Sequence, residues 1–247
     1  MNAAAPGFHV FTIFRTPVYV QGMFLLLLLI FSQGSFGLGP GYIFIDCLSV
    51  VIALLVHEFG HVYAAKTNGS RSIVVLGGMG AYTASDGQAA GWRGIWLSVA
   101  GPLFGFALWG LLWFGFIPSW GREAGLLFDL EAVFSPFSVV WGMPASQGHL
   151  GWYLWARLVQ LNLLWGLVNL LPIIPLDGGH VLEHALKTKM RAHQAVRIAS
   201  IVSIVACVAI VGLGYFLLAT VHPWNIFIVG YLAYINYDRL AQSRNRF

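Results

Sequence analysis

The sequence has 247 residues, of which 58% are hydrophobic and 9% are charged, and its formal net charge is +4. Soluble domains carry about 25% charged residues, so this composition excludes an ordinary soluble protein and indicates a chain that lives in a lipid bilayer. The basic residues are scattered at the ends of apolar segments, which argues against nucleic acid as a partner. Cys47 and Cys207 both fall in apolar segments and predict no disulfide framework.

Six apolar segments predict transmembrane helices. Residues 8–14, before the first of them, are rich in aromatic and β-branched residues and predict a short strand or an interfacial segment. We therefore expect an all-α polytopic membrane protein, one transmembrane domain over residues 1–247 with an extracytoplasmic loop at 118–151. The predicted spans are about 18–36, 42–66, 94–117, 152–171, 198–220 and 225–237.

The segment after the second span carries two β-type runs that flank glycines, from Ser72 to Thr83. This pattern predicts a small membrane-associated β-hairpin or sheet. Non-helical backbone at membrane depth is tolerated only against protein or a wet cavity. A hairpin that follows the second span could lie beside a site in that span and offer an edge strand to an extended peptide, which makes Gly77 and Gly78 candidates for contacting a bound peptide. An ordinary cytosolic loop is an equal alternative for this stretch.

The distribution of lysine and arginine tests the topology. With the N-terminus inside, eleven of the thirteen basic residues lie on the cytoplasmic side and two, Arg122 and Arg157, lie outside. This asymmetry follows the positive-inside rule, so both termini are predicted to be cytoplasmic. The lack of long extensions favours a bacterial cytoplasmic membrane. The inside set is Arg15, Lys66, Arg71, Arg93, Lys187, Lys189, Arg191, Arg197, Arg239, Arg244 and Arg246.

The second span contains an H-E-x-x-H motif, His57-Glu58-Phe-Gly-His61. Histidines at i and i+4 lie on one face of a helix, so both imidazoles can reach a single metal. Glu58 can reach a metal-bound water as general base. A charge and two imidazoles are costly in an apolar span unless they are paired. A metal site is therefore favoured over a chance match or a hydrogen-bonded pair of helix histidines.

Catalytic zinc usually keeps three protein ligands and one open position. Asp177 is the natural third ligand because it follows a span that returns to the same side, although a helix cap or turn residue is an equal alternative. His180-Val-Leu-Glu183-His184 matches an inverted zinc motif and competes with the first one. It lies in a short polar segment, where histidines cost little. His180 is instead a candidate for contacting the ligands rather than the metal.

The two motifs together resemble the signature of the site-2 protease family of intramembrane zinc metalloproteases. That signature is H-E-x-x-H in one span and N-x-x-P-x-x-x-L-D-G in a later one. The second part is present as Asn169-Leu-Leu-Pro-Ile-Ile-Pro-Leu-Asp177-Gly178. The resemblance implies one Zn²⁺ per chain, with His57, His61 and Asp177 as ligands and Glu58 as catalytic base.

Two further segments also resemble family patterns: Arg15-Thr-Pro before the first span and Ala100-Gly101-Pro in the third. The chain departs from the family at Gly105, where an asparagine is common. It also has no soluble stretch long enough for a PDZ domain, and it has no C-terminal pair of CBS modules. In both respects it is similar to the minimal members of the family.

The expected activity is hydrolysis of a peptide bond in or near a transmembrane segment of a membrane-protein substrate, in regulated proteolysis. Asn169 and Asn162 are candidates for holding the oxyanion or the substrate backbone, and interhelical hydrogen bonding is the alternative for both. A catalytically silent zinc-binding scaffold is the first rival function. A metal transporter is a weaker rival, because acidic residues in or near the spans, such as Asp46, Glu58 and Asp177, are few.

Overall fold

The computed structural model describes residues 7–78, 80–87, 89–115, 150–218 and 223–244. The strands in these ranges are β1 (Phe8–Ile13), β2 (Thr16–Val20), β3 (Ser72–Gly77) and β4 (Gly80–Ser85). The helices are α1 (Met23–Ser32), α2 (Pro40–Thr67), α3 (Trp92–Gly110), α4 (Leu150–Asn169), α5 (Asp177–Lys187), α6 (Ala192–Leu218) and α7 (Pro223–Arg244). A 3₁₀ turn, Gln33–Ser35, follows α1, and a π-helical turn, Leu111–Gly115, extends α3.

Three helical stretches among the described residues are long and apolar enough to cross a membrane: Pro40–Thr67, Trp92–Gly115 and Ala192–Phe216. Large apolar side chains on their outer faces are exposed, among them Phe44 at 65% and Val208 at 67%. Such faces suit lipid rather than water, so the chain is an integral membrane protein. The predicted count of six spans is not confirmed, and most of the predicted loop at 118–151 lies outside the described residues.

The first predicted span, 18–36, differs from the structure. Val18 belongs to strand β2, where it is fully buried and pairs with Val74. Helix α1 begins only at Met23 and has 10 residues. The physical reason is local: the β-branched and aromatic residues of Thr16–Val20 suit a strand, and the leucine-rich run begins after them. An apolar run predicted as one helix is therefore divided between a strand and a helix.

The four strands form one sheet in the order β1-β2-β3-β4. Antiparallel pairing of β3 with β4 confirms the hairpin predicted at 72–83. Strand β1 confirms the first predicted β segment, and it pairs antiparallel with β2. The sheet is larger than predicted because β2 and β3 pair in parallel, with Val18 opposite Val74 and Val20 opposite Leu76. This pairing joins the segment before α1 to the segment after α2.

Helix α2 lies at the centre, packed against α1, α3, α4 and the sheet. Its apolar contacts with α1 and the sheet form the main core cluster of Val18, Phe24, Leu27, Phe31, Val50, Ala53, Leu54, Val62, Val74, Leu76 and Leu161. The short helix α5 packs against α3 and α6. The C-terminal half of α2, the start of α3 and the start of α5 consequently meet in one place.

Candidate metal centre

Three potential ligands from two helices converge at this meeting point. Nε2 of His57 lies 3.0 Å from Oδ2 of Asp177, and Nε2 of His61 lies 3.3 Å from Oδ1 of the same carboxylate. The two Nε2 atoms are 3.2 Å apart. Within the described part of the chain, this is the one group of three or more histidine, cysteine or acidic side chains with metal-ligand spacing. The structure thus brings together the three residues expected to bind the metal.

Asp177 reaches the histidines because the chain folds back tightly just before α5. A Cβ atom at Gly178 would overlap the carbonyl of Leu170, and one at Gly179 would lie 2.5 Å from the amide nitrogen of Ile174. Only glycine allows this close approach between two backbone segments. The two glycines after Asp177 therefore place the first residue of α5 against α2.

The protonation states of the ligands suit a metal. Nδ1 of His61 donates a hydrogen bond to the Leu97 carbonyl at 2.7 Å, which assigns its proton and leaves Nε2 free to coordinate. Burial alone would raise the pKa of Asp177, but the adjacent imidazoles of His57 and His61 lower that pKa to about 2. Asp177 is therefore an anionic carboxylate near neutral pH. Two imidazole nitrogens and one carboxylate are a common donor set for catalytic zinc.

The spacing of the donor atoms also fits zinc. Tetrahedral zinc with bonds of about 2.0–2.1 Å has its ligand atoms about 3.3 Å apart. The two histidine nitrogens are 3.2 Å apart, and they lie 3.0 and 3.3 Å from different oxygens of the Asp177 carboxylate. Helix α3 approaches the same place at Gly101. A Cβ atom there would overlap Nε2 of His61 and would lie 2.7 Å from Nε2 of His57. The space beside the two nitrogens exists because residue 101 has no side chain.

Glu58 is 3% exposed and points toward the sheet. Its Oε2 accepts a hydrogen bond from the Thr83 hydroxyl at 2.7 Å, and the same hydroxyl is 3.2 Å from the Glu58 carbonyl oxygen. Strand β4 therefore lies directly against the turn of α2 that carries the H-E-x-x-H motif. Sequence reasoning missed Thr83 because a contact between a strand and a helix 25 residues apart leaves no local pattern.

The two asparagine candidates make hydrogen bonds within their own helix. Nδ2 of Asn162 donates to the Leu158 carbonyl at 2.8 Å, and Nδ2 of Asn169 donates to the Trp165 carbonyl at 2.9 Å. Asn162 is buried, and its Oδ1 has no hydrogen-bond partner among the described residues. It lies beside Gly105, because a Cβ atom at position 105 would be 3.8 Å from this oxygen.

The two glycine candidates of the hairpin pack against the start of α1. A Cβ atom at Gly77 would lie 2.8 Å from Oε1 of Gln21, and one at Gly78 would lie 2.7 Å from Cβ of Met23. These contacts occupy the direction in which a side chain would project. The backbone of the hairpin turn is thus held close to the chain that connects β2 to α1.

The inverted motif on α5 is engaged in other contacts. Glu183 accepts hydrogen bonds from Lys187 at 2.6 Å and Arg239 at 2.7 Å. Burial alone would raise the pKa of Glu183, but these two cations lower it below its usual value. The ring of His184 packs against Gly94. Glu183 therefore joins α5 to α7, and the described residues contain no three-ligand group at 180–184.

His180 lies one turn after Asp177 on α5. Burial lowers the pKa of His180, although the nearby carboxylates of Glu183 and Asp177 act in the opposite direction. Its imidazole is therefore neutral near pH 7. Its effect on the metal ligands stays a prediction.

A second polar cluster lies in the other half of α2. Nε of Arg157 donates to Oδ1 of Asp46 at 2.6 Å, the Tyr153 hydroxyl donates to the same oxygen at 3.0 Å, and the Ser35 hydroxyl donates to Oδ2. Asp46 and Arg157 are fully buried. This pairing joins α2 to α4 and was not predicted, because the two residues are 111 positions apart. It also gives Asp46 a structural partner, which disfavours a transport route through it.

These features define a membrane-embedded helical protein with a two-histidine, one-aspartate metal-ligand group. The model of a family described as Peptidase family M50 matches residues 45–213, a range that includes His57, Glu58, His61 and Asp177. The match covers more than half of the sequence. The chain therefore belongs to peptidase family M50, a family of zinc metalloproteases, and the resemblance drawn from its motifs is confirmed.

A comparison with solved structures agrees on the fold. The chain is similar to the site-2 protease from Methanocaldococcus jannaschii, with a TM-score of 0.59 and 20% sequence identity over 94% of each chain. At that identity the likeness concerns the fold alone. A comparison with curated proteins gives no match.

Proposed function

We propose that the protein is an intramembrane zinc endopeptidase that cleaves a membrane-protein substrate in or near one of its transmembrane segments, in regulated proteolysis. The observation that carries the proposal is the convergence of Asp177 of α5 with His57 and His61 of the apolar helix α2, which also carries Glu58. The proposal includes one zinc ion per chain, a single domain over residues 1–247 with six spans, and cytoplasmic termini in a bacterial cytoplasmic membrane.

The proposed catalytic base is Glu58. Zinc held by His57, His61 and Asp177 would supply a Lewis acid that lowers the pKa of a water molecule to about 7. The Glu58 carboxylate takes one proton from the attacking water as its oxygen bonds to the scissile carbonyl carbon. It then delivers that proton to the amide nitrogen as the carbon–nitrogen bond breaks, giving a carboxylate end and an amine end.

The Thr83 hydroxyl supports this role of Glu58. Because it donates to Oε2, the carboxylate is held in one orientation. Oε1 of Glu58 is then the oxygen available to the water. A buried polar group without a partner is costly, so the hydrogen bond also stabilises the Glu58 side chain in an apolar region.

The sheet suggests how a substrate is held. A transmembrane helix must unwind before hydrolysis, because its carbonyl groups are engaged in hydrogen bonds along the helix. Strand β4 is the last strand in the sheet order, so one of its edges is unpaired within the sheet. An unwound substrate could add there as a further strand. Asn169, Asn162, Gly77 and Gly78 stay candidates for contacts with its backbone or the oxyanion.

A substrate trap tests the proposal. Wild-type protein and the Glu58→Gln variant are expressed in the native membrane, and co-purifying membrane proteins and fragments are identified by mass spectrometry. We expect Glu58→Gln to keep its zinc and to accumulate uncut substrates that appear as fragments with the wild type. Zinc content is measured on both proteins, and chelator-treated wild type is the control for metal dependence.

Two outcomes would contradict the proposal. Fragments that persist with Glu58→Gln would remove the assigned base. Identical partner profiles with no fragments from either protein would favour a silent zinc-binding scaffold.

A further inference from the structure

The segment that connects α4 to Asp177 is held in place by two helices that provide no metal ligand. At its centre, the amide N–H of Ile174 donates to the Ser203 hydroxyl of α6 at 3.1 Å. The carbonyl of the same residue accepts a hydrogen bond from Nδ2 of Asn236 of α7 at 2.6 Å. Ser203 and Asn236 are both fully buried. One residue of the segment therefore has both of its backbone polar groups bonded to side chains from separate helices.

Both side chains are themselves oriented by their own helices. The Ser203 hydroxyl donates to the Ala199 carbonyl at 2.8 Å, so it meets Ile174 as an acceptor. Nδ2 of Asn236 also donates to the Leu232 carbonyl at 2.9 Å, which directs its second N–H toward Ile174. These bonds leave each side chain little freedom to follow a displaced segment.

The segment in turn fixes the start of α5. A Cβ atom at Gly179 would lie 2.5 Å from the Ile174 amide nitrogen, so these backbones are already in contact. The Leu176 amide donates to the Ile173 carbonyl at 2.7 Å. Ile173 is 1% exposed and packs with apolar residues of α6 and α7. A shift of Ile174 would therefore move the first turn of α5, where Asp177 lies.

We propose that Ser203 and Asn236 are positioning residues for the metal ligand Asp177, and that they act through the backbone of Ile174. Ile174 lies three positions before the ligand. Its two hydrogen bonds, to side chains from separate helices, fix both the position and the orientation of the segment. The inference rests on the proposed function only in that zinc is taken as the metal. It makes α6 and α7 part of the metal centre although neither contributes a ligand.

Zinc affinity of the purified protein in detergent tests the inference, by competition with a chromophoric chelator. Ser203→Ala removes the acceptor for the Ile174 amide, and Asn236→Leu removes the donor to its carbonyl. Loss of a residue that orients a ligand typically weakens metal binding by about 10–100-fold. We expect a loss of about tenfold for each variant.

Ser200→Ala is the matched control. Ser200 lies on the same helix, is fully buried, and its hydroxyl has no hydrogen-bond partner among the described residues. We expect wild-type zinc affinity from this variant. Unchanged affinity in Ser203→Ala, or an equal loss in Ser200→Ala, would overturn the inference. Ser203→Ala keeps the test valid if Asn236→Leu does not fold.

A double-mutant cycle shows whether the effect passes through Asp177. In an Asp177→Asn background, Ser203→Ala should cause little further loss of zinc affinity, because the ligand it positions is already altered. Full additivity of the two losses would overturn the inference. A wild-type protein that binds no zinc, or binds it equally well with Asp177→Asn, would instead contradict the proposed function.

Discussion

Gly101 shows how a single residue without a side chain leaves space at the candidate metal centre. It lies on α3, where a Cβ atom would collide with Nε2 of His61 and crowd Nε2 of His57. Gly105, one turn later on the same helix, is also buried, but a Cβ atom there would meet only ordinary contacts, the nearest at 3.5 Å from the Asn162 carbonyl oxygen. Position 101 therefore requires glycine to leave space beside the imidazole nitrogens, whereas position 105 has room for a methyl group.

We predict that Gly101→Ala abolishes zinc binding and proteolysis, because its methyl group occupies the space beside the imidazole nitrogens. Gly105→Ala should keep zinc and gain up to about 1 kcal/mol of helix stability. Metal content by atomic emission and thermal unfolding in detergent measure the two effects. A Gly101→Ala protein that is folded and retains one zinc per chain would contradict the assigned geometry.

At the same scale, the sequence predicted some site residues and missed others for a physical reason. The i, i+4 spacing of His57 and His61 is a local property of one helix, so it could be recognised directly. Asp177 stayed open on spacing alone, and the resemblance to a family motif favoured it. Ser203 and Asn236 gave no signal, because a serine or asparagine in an apolar helix most often bonds to its own backbone.

At the scale of elements, the pairing of β2 with β3 and the packing of β4 on α2 matter most. The hairpin of β3 and β4 was predictable from two β-type runs around glycines. The parallel pairing of β2 with β3 was not, because it joins segments separated by α1 and α2, and local periodicity carries no information on distant partners. For the same reason, the sequence did not predict the contact between Thr83 and Glu58.

We predict that Thr83→Val lowers kcat about 10–100-fold, since a hydrogen bond to a charged group contributes about 1.5–3 kcal/mol. Zinc content should stay at the wild-type level, because Thr83 contacts Glu58 and not one of the proposed metal ligands. Thr83→Ser retains the hydroxyl and should retain most of the activity. Cleavage of a trapped substrate in proteoliposomes gives the rates, and a wild-type kcat for Thr83→Val would remove Thr83 from the site.

At the scale of the whole molecule, the Asp46–Arg157 ion pair joins two helices of the bundle at a place distant from the candidate metal ligands. It lies 11 residues before His57 on α2, about 16 Å away along the helix. Removal of one partner from a buried pair typically costs about 3–5 kcal/mol, whereas apolar replacement of both partners is often neutral. The pair can therefore be tested without disturbing the ligands.

We expect Asp46→Asn to lower the unfolding midpoint strongly, because it leaves the buried Arg157 without a counter-charge. Asp46→Leu combined with Arg157→Met should recover most of that loss. Denaturant unfolding in detergent, followed by tryptophan fluorescence, measures both proteins against the wild type. An unchanged midpoint for Asp46→Asn would show that the pair contributes little to the bundle.

The length of α1 has a consequence for the surrounding lipid. Its 10 helical residues and the three-residue 3₁₀ turn rise only about 20 Å, whereas the hydrocarbon core of a bilayer is about 30 Å thick. Leu25, Leu26 and Leu29 are exposed on this helix and require acyl chains beside them. In the proposed six-span topology α1 crosses the bilayer, and hydrophobic mismatch should then thin the bilayer locally. Lipid headgroups and water would then sit deeper beside the sheet than around the 28-residue α2, which shortens the path that a water molecule must travel to reach Glu58.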